Sequence, residues 1–131
     1  RLFLDPDRQY SCAYFETPDA TLEEAQLAKK RHIASKLKIA PGHSVLDIGS
    51  GWGGMGLYIA RNFQADVLGV TLSTEQHAVS TERVRAEGLD GHVHFEIRDY
   101  RDLNERFDRI VVSVDDPDAT VEAINTASAA R

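Results

Sequence analysis

The sequence predicts an α/β fold, a mostly parallel sheet with helices on both faces, and three observations carry that prediction. Helix-like and strand-like segments alternate from residue 21 onward, and parallel neighbours require such crossovers. An apolar strand at 44–48 runs directly into glycines at positions 49, 51 and 53 and then into a helix-like segment, the strand–turn–helix arrangement of a Rossmann-like sheet. The chain has 131 residues, of which 42% are apolar, enough to bury one core in one domain.

Each element has its own local cause. Residues 1–20 carry charge, aromatic rings and two prolines without periodicity and read as an irregular lead-in. Thr21 with Glu24 forms a capping box, and Leu22, Ala25, Ala28, Ile33 and Leu37 recur at roughly helical spacing, predicting a helix over 22–37. Pro41-Gly42 turns the chain into the strand at 44–48. A helix over 54–62 and a strand over 66–71 follow. Ser73 with Gln76 makes a second capping box, opening a helix that runs to about Glu87 before Gly88 and Gly91. Residues 92–98 alternate polar and apolar, placing Val93, Phe95 and Ile97 on the core face of a third strand. Residues 109–114 form a fourth strand. Asp116-Pro117 then offers a cap and a first-turn proline for a last helix through Val121 and Ile124 to about Ala129. Four strands are few for such a sheet, the first residue is Arg1, and the last segment is rich in Ala and Ser. The expectation is therefore a fragment truncated after the fourth strand, with residues 21–131 forming a domain incomplete at its C-terminal side.

Composition removes several classes of function. A net charge of −6 with dispersed acidic residues argues against a nucleic-acid footprint. No apolar run approaches the roughly 20 residues that span a bilayer, and without a basic-then-apolar stretch the expectation is a soluble, unexported protein. The single cysteine, Cys12, cannot form an internal disulfide or a cysteine-rich zinc site, and it fits a reducing, cytoplasmic setting.

The glycine loop is the strongest candidate site. Glycines let the backbone turn sharply and approach a ligand, which predicts a nucleotide-like cofactor. The third glycine comes one residue earlier than in Gly-x-Gly-x-x-Gly, and Asp47 sits in the strand end; this spacing favours S-adenosylmethionine over NAD. Around Gly49, Gly51 and Gly53, loop amides and the helix N-terminus would accept the methionine carboxylate, with Asp47 reaching the amino group directly or through water. Tight packing alone is the alternative use of these glycines. Thr71 ends the second strand where such proteins typically carry an acid; its hydroxyl can bond a ribose oxygen with help from Gln76, or Gln76 only completes its capping box. Asp99 follows the third strand and can accept from an adenine amino group with Tyr100 packing beside it, or it is an ordinary turn residue. His32, His43, His77, His92 and His94 lack metal-ligand spacing, so no metal is expected. Asp115-Asp116 suits acid–base chemistry, metal binding or helix capping, and Pro117 favours capping.

The segment Tyr10-Ser-Cys-Ala-Tyr-Phe-Glu16 and the following Thr-Leu-Glu-Glu-Ala-Gln-Leu-Ala resemble the cyclopropane-fatty-acyl-phospholipid synthases and mycolic acid cyclopropane synthases. Gly51-Trp52-Gly53, Gly69-Val-Thr-Leu-Ser73 with Gln76, Asp99-Tyr-Arg-Asp-Leu103 and Phe107-Asp-Arg-Ile110 agree, so the resemblance covers roughly residues 8 to 114. It implies a class I methyltransferase fold and a methylene transfer from S-adenosylmethionine to the cis double bond of phospholipid acyl chains. By the same resemblance Tyr10 and Ser11 fold over the cofactor as a lid. Thr71 and Gln76 hold its ribose end, and Asp99 and Tyr100 its adenine side. Cys12 lines a pocket for a bicarbonate ion acting as general base. A water-excluding apolar pocket would let that base remove a proton from the transferred methyl. Beyond Val114 the chain reads Asp-Asp-Pro-Asp where the family has a glycine, an aromatic and Glu-His. Alternatives are a methyltransferase of another small molecule and a non-catalytic cofactor-binding fragment. Membrane contact is expected to be peripheral at most, and the oligomeric state is not legible.

Overall fold

A computed structural model describes residues 19 and 21–113. Tyr10, Ser11, Cys12, Asp115, Asp116 and the helix expected at 116–129 lie outside the described residues. The elements are α1 (Leu22–Leu37), β1 (Ser44–Ile48), α2 (Gly54–Phe63), β2 (Asp66–Thr71), α3 (Thr74–Ala86), β3 (Val93–Ile97), a 3-10 turn (Tyr100–Asp102) and β4 (Arg109–Val112). The four strands form one parallel sheet in the order β3-β2-β1-β4. The order reverses at β1, so the carboxyl end of β1 is the switch point at which open sheets of this kind take ligands.

Alternation along the strands sorts the core onto two faces. Val45, Val67, Val93, Phe95 and Val111 pack with Met55, Leu57, Tyr58 and Ile59 of α2, Ala34 of α1 and Val84 of α3. Leu46, Ile48 and Val70 face the other way and, among the described residues, are covered by Leu103 with Tyr100 and Phe107 rather than by a helix.

Helix α1 starts where its capping box predicts. Thr21 N donates to the Glu24 carboxylate at 2.8 Å and Glu24 N to Thr21 Oγ1 at 3.1 Å. Ala25, Ala28 and Ala34 are buried, but Leu22 is 39% exposed because it opens the helix before the packed face begins. Gln26 and Lys30 are buried in that face, which apolar periodicity alone does not foretell. Helix α2 runs one residue beyond the expected end and stops at Gln64 in the left-handed region, φ 55°. Strand β3 lacks the expected His92 and Arg98. Ile97 is 48% exposed instead of facing the core, since it is the last residue of an edge strand. Strand β4 ends at Val112.

The Phe95 ring governs how closely α2 can lie on the sheet. A Cβ on Gly53, at φ 93°, would stand 2.9 Å from Ser80 Cβ and 3.0 Å from the ring, and one on Gly69 would fall inside the ring's van der Waals surface. Both positions must lack a side chain. Gly69→Ala is expected to destabilise the fold by about 1–3 kcal/mol through overpacking in urea unfolding. Adding Phe95→Leu should recover part of the loss; an additive double mutant would contradict the steric account.

Candidate functional site

The loop from β1 to α2 is built from left-handed turns, with φ 68° at Gly49, 56° at Gly51 and 93° at Gly53. Ser50 N donates to Val70 O at 3.0 Å, tying the loop to β2, and Gly53 N donates to Ser50 O at 3.0 Å. Helix α2 begins at Gly53 with no side-chain cap and no acidic residue in its first turn. Its N-terminal amides thus keep the positive dipole end available for an anionic group.

Asp47 is completely buried beneath this loop. Ser113, just past β4, donates its hydroxyl to Asp47 Oδ1 at 2.7 Å, while Ser113 N continues the β1–β4 ladder to Ile48 O at 2.8 Å. Asp47 Oδ2 and Ser50 Oγ are buried without a hydrogen-bond partner among the described residues. Buried polar atoms of this kind call for a ligand or an ordered water. Desolvation pushes the Asp47 carboxyl up to about 7, against the Ser113 hydrogen bond and the Lys29 charge, which pull it down.

At the neighbouring strand end, Thr71 is buried and donates Oγ1 to Gln76 Oε1 at 3.0 Å. Ser73 accepts from Gln76 N at 3.2 Å, but the Gln76 side chain turns to Thr71, so only half of the capping box predicted there is made. The structure thus joins Thr71 and Gln76 as a pair. Asp99 follows β3 and caps the 3-10 turn, accepting from Arg101 N at 2.9 Å and from the Arg101 guanidinium at 2.6 Å. Those bonds hold its carboxyl down at about 2, so it stays charged with one partner already in place. Tyr100 packs on the Leu46–Ile48–Val70 cluster.

Two participants have no local signature in the sequence. Ser113 meets Asp47 across 66 residues, and Arg83 of α3 donates Nη1 to the carbonyl of Trp52 in the glycine loop at 3.1 Å. Three histidines bond within the scaffold: His77 Nε2 lies 2.9 Å from Phe95 O, His43 Nδ1 accepts from Ala40 N, and His92 meets Asp66 at 3.1 Å. Among the described residues no group of three or more His, Cys, Asp or Glu could hold a metal ion. Nor is any described helix long and apolar enough to cross a membrane.

A parallel sheet with its switch point at a glycine loop, a buried acid beneath that loop and a polar pair at the next strand end define a class I methyltransferase fold. The profile described as "Mycolic acid cyclopropane synthetase" matches residues 1–125, and the chain belongs to that family. The cyclopropane-fatty-acyl-phospholipid synthase of Escherichia coli K12 is 54% identical over 108 residues, covering 82% of this chain and 27% of that protein. The structure of a mycolic acid cyclopropane synthase complexed with SAH and CTAB superposes with a TM-score of 0.88 at 32% identity, covering 98% of this chain and 47% of that one. A coclaurine N-methyltransferase bound to N-methylheliamine and SAH gives 0.80 at 30% identity, covering 86% and 34%. The chain thus spans less than half the length of each.

The buried Asp47 makes stability depend on pH. Its folded value of about 7 lies above the ordinary 3.8, so between these values the folded chain keeps a proton that the unfolded chain has lost. This contribution is full below about pH 4 and disappears as pH rises through 7. Asp47→Asn should therefore gain stability relative to the parent from pH 5 to pH 8 in ligand-free urea melts; parallel pH profiles would exclude the linkage.

Proposed function

We propose that the chain is the cofactor-binding part of an S-adenosylmethionine-dependent enzyme that modifies the cis double bonds of phospholipid acyl chains. The observation that carries this reading is the juxtaposition of the left-handed glycine loop with the Thr71–Gln76 pair on adjacent strand ends. The buried Asp47 Oδ2 and Ser50 Oγ, and the uncapped start of α2, fit a polar, partly anionic ligand.

When bound, S-adenosylmethionine supplies an electrophilic methyl group. The chain's own residues hold and orient. Gly49, Gly51 and Gly53 keep side chains out of the loop so that its amides and the α2 N-terminus can face the methionine carboxylate. Asp47, having no exposed surface, acts on the amino group through water. Thr71 and Gln76 receive the ribose hydroxyls, the Gln76 amide nitrogen serving as the donor. Asp99 and Tyr100 border the adenine, with Arg101 keeping the Asp99 carboxylate ionised.

The remaining assignments rest on family membership. Tyr10 and Ser11 of the lead-in at 1–20 would act as a lid on the cofactor, and Cys12 would border a bicarbonate ion, which when bound would supply a general base. Residues 21–131 form the cofactor-binding domain. A cytoplasmic location with peripheral contact to the lipid surface belongs to the same proposal. A second reading, methyl transfer to a small-molecule acceptor, is favoured by the likeness to the N-methyltransferase.

Calorimetric titration should show S-adenosylhomocysteine binding to the 131-residue chain. Thr71→Ala with Gln76→Ala should weaken it roughly tenfold or more, as expected for two lost hydrogen bonds at about 1 kcal/mol each. No binding by the parent chain would end the proposal. Labelled S-adenosylmethionine offered with vesicles of unsaturated phospholipid separates the acceptors: label in lipid supports the first reading, and label only in added amines supports the second.

A further inference from the structure

Helix α3 touches the site through one stripe. Ser73 caps its start, Gln76 bonds Thr71 at the end of β2, and His77 meets Phe95 O of β3. Ser80 lies against Gly53, and Arg83 reaches the Trp52 carbonyl. Positions 73, 76, 77, 80 and 83 follow helical spacing, so the stripe is one continuous face of α3.

The Trp52 carbonyl is the point at which this face grips the glycine loop. Trp52 lies just outside α2, between two left-handed glycines. The Gly53 carbonyl is already used by Leu57 N. A loop with glycines at 49, 51 and 53 has many accessible backbone conformations, and a charge-assisted bond from a folded helix removes some of them. Trp52 itself is 9% exposed, so both its ring and its carbonyl are held.

We infer that Arg83 is a positioning residue for the cofactor loop, fixing the orientation of the Gly51–Trp52–Gly53 backbone through the Trp52 carbonyl so that its amides are set before ligand arrives. The inference rests on the cofactor-binding reading above and assigns to it a residue outside the loop. Preorganisation of this kind acts on affinity, because ordering already present need not be supplied on binding.

The chain contains a single tryptophan, so its intrinsic fluorescence reports the loop directly. Arg83→Met keeps most of the apolar stem and removes the donor, Arg83→Lys keeps one donor, and Arg85→Met, whose parent arginine pairs with Glu82 on the exposed side, is the control. In the ligand-free protein, acrylamide quenching of Trp52 should rise in Arg83→Met, return part-way in Arg83→Lys and stay unchanged in Arg85→Met. Well below the melting temperature, S-adenosylhomocysteine affinity should fall roughly tenfold in Arg83→Met, the size expected for one charge-assisted bond, and recover part-way in Arg83→Lys. A purely structural role would lower the melting temperature while leaving cold quenching and affinity at parent values, and that result overturns the inference. If the parent chain does not bind, the cofactor reading falls, and the quenching comparison still decides whether Arg83 holds the loop. Should Arg83→Met fail to fold, Arg83→Lys and Arg83→Gln carry both measurements.

Discussion

The Phe95 ring sets the depth at which α2 and the glycine loop rest on the sheet. A Cβ at Gly53 or Gly56 would meet it at 3.0 or 3.3 Å, and one at Gly69 would overlap it. Three glycines on three different segments thus answer to one side chain. The loop from β1 must then turn sharply into α2, through glycines in the left-handed region. Gly51 is different: a Cβ there would find only Gly49 O at 4.0 Å, although its φ is 56°. Gly53 is therefore demanded by packing as well as by its backbone, whereas Gly51 is demanded by its backbone conformation alone.

Beneath that loop, electrostatics depend on burial more than on charge count. The chain is acidic overall, yet the carboxyl that matters, Asp47, titrates near neutrality because it is removed from water. Asp99, bonded to a guanidinium near the surface, behaves oppositely. Two aspartates at the ends of parallel strands are thus shifted in opposite directions, Asp47 upward by burial and Asp99 downward by its Arg101 partner.

Local chemistry made the scaffold readable from sequence. The Thr21–Glu24 box fixes the start of α1, and the apolar runs at β1 and β2 match their observed bounds. The glycine loop and Thr71 were legible because turns and strand ends have local signatures. The cooperation of Gln76 with Thr71 was only half legible: Ser73 and Gln76 read equally well as a complete capping box, and the competition was settled by the Thr71 hydroxyl. Ile97 departs from the alternation rule: it ends an edge strand of the described sheet and is half-exposed. Ser113 and Arg83 were invisible for a different reason. Each acts through a contact that exists only once the sheet has brought distant segments together.

The pairing of β4 with β1 also bears on the order in which the chain assembles. Ser44 beside Asp66 encloses little more than one helix, whereas Ser113 beside Asp47 encloses α2, α3 and three further strands. Loop-closure entropy grows with the enclosed length, and contacts of high sequence separation retard folding. The β1–α2–β2 unit can thus form as a local nucleus, while the Ser113 bond to Asp47 must await the long crossover. The acid beneath the glycine loop therefore acquires its hydroxyl partner only once β4 has paired with β1.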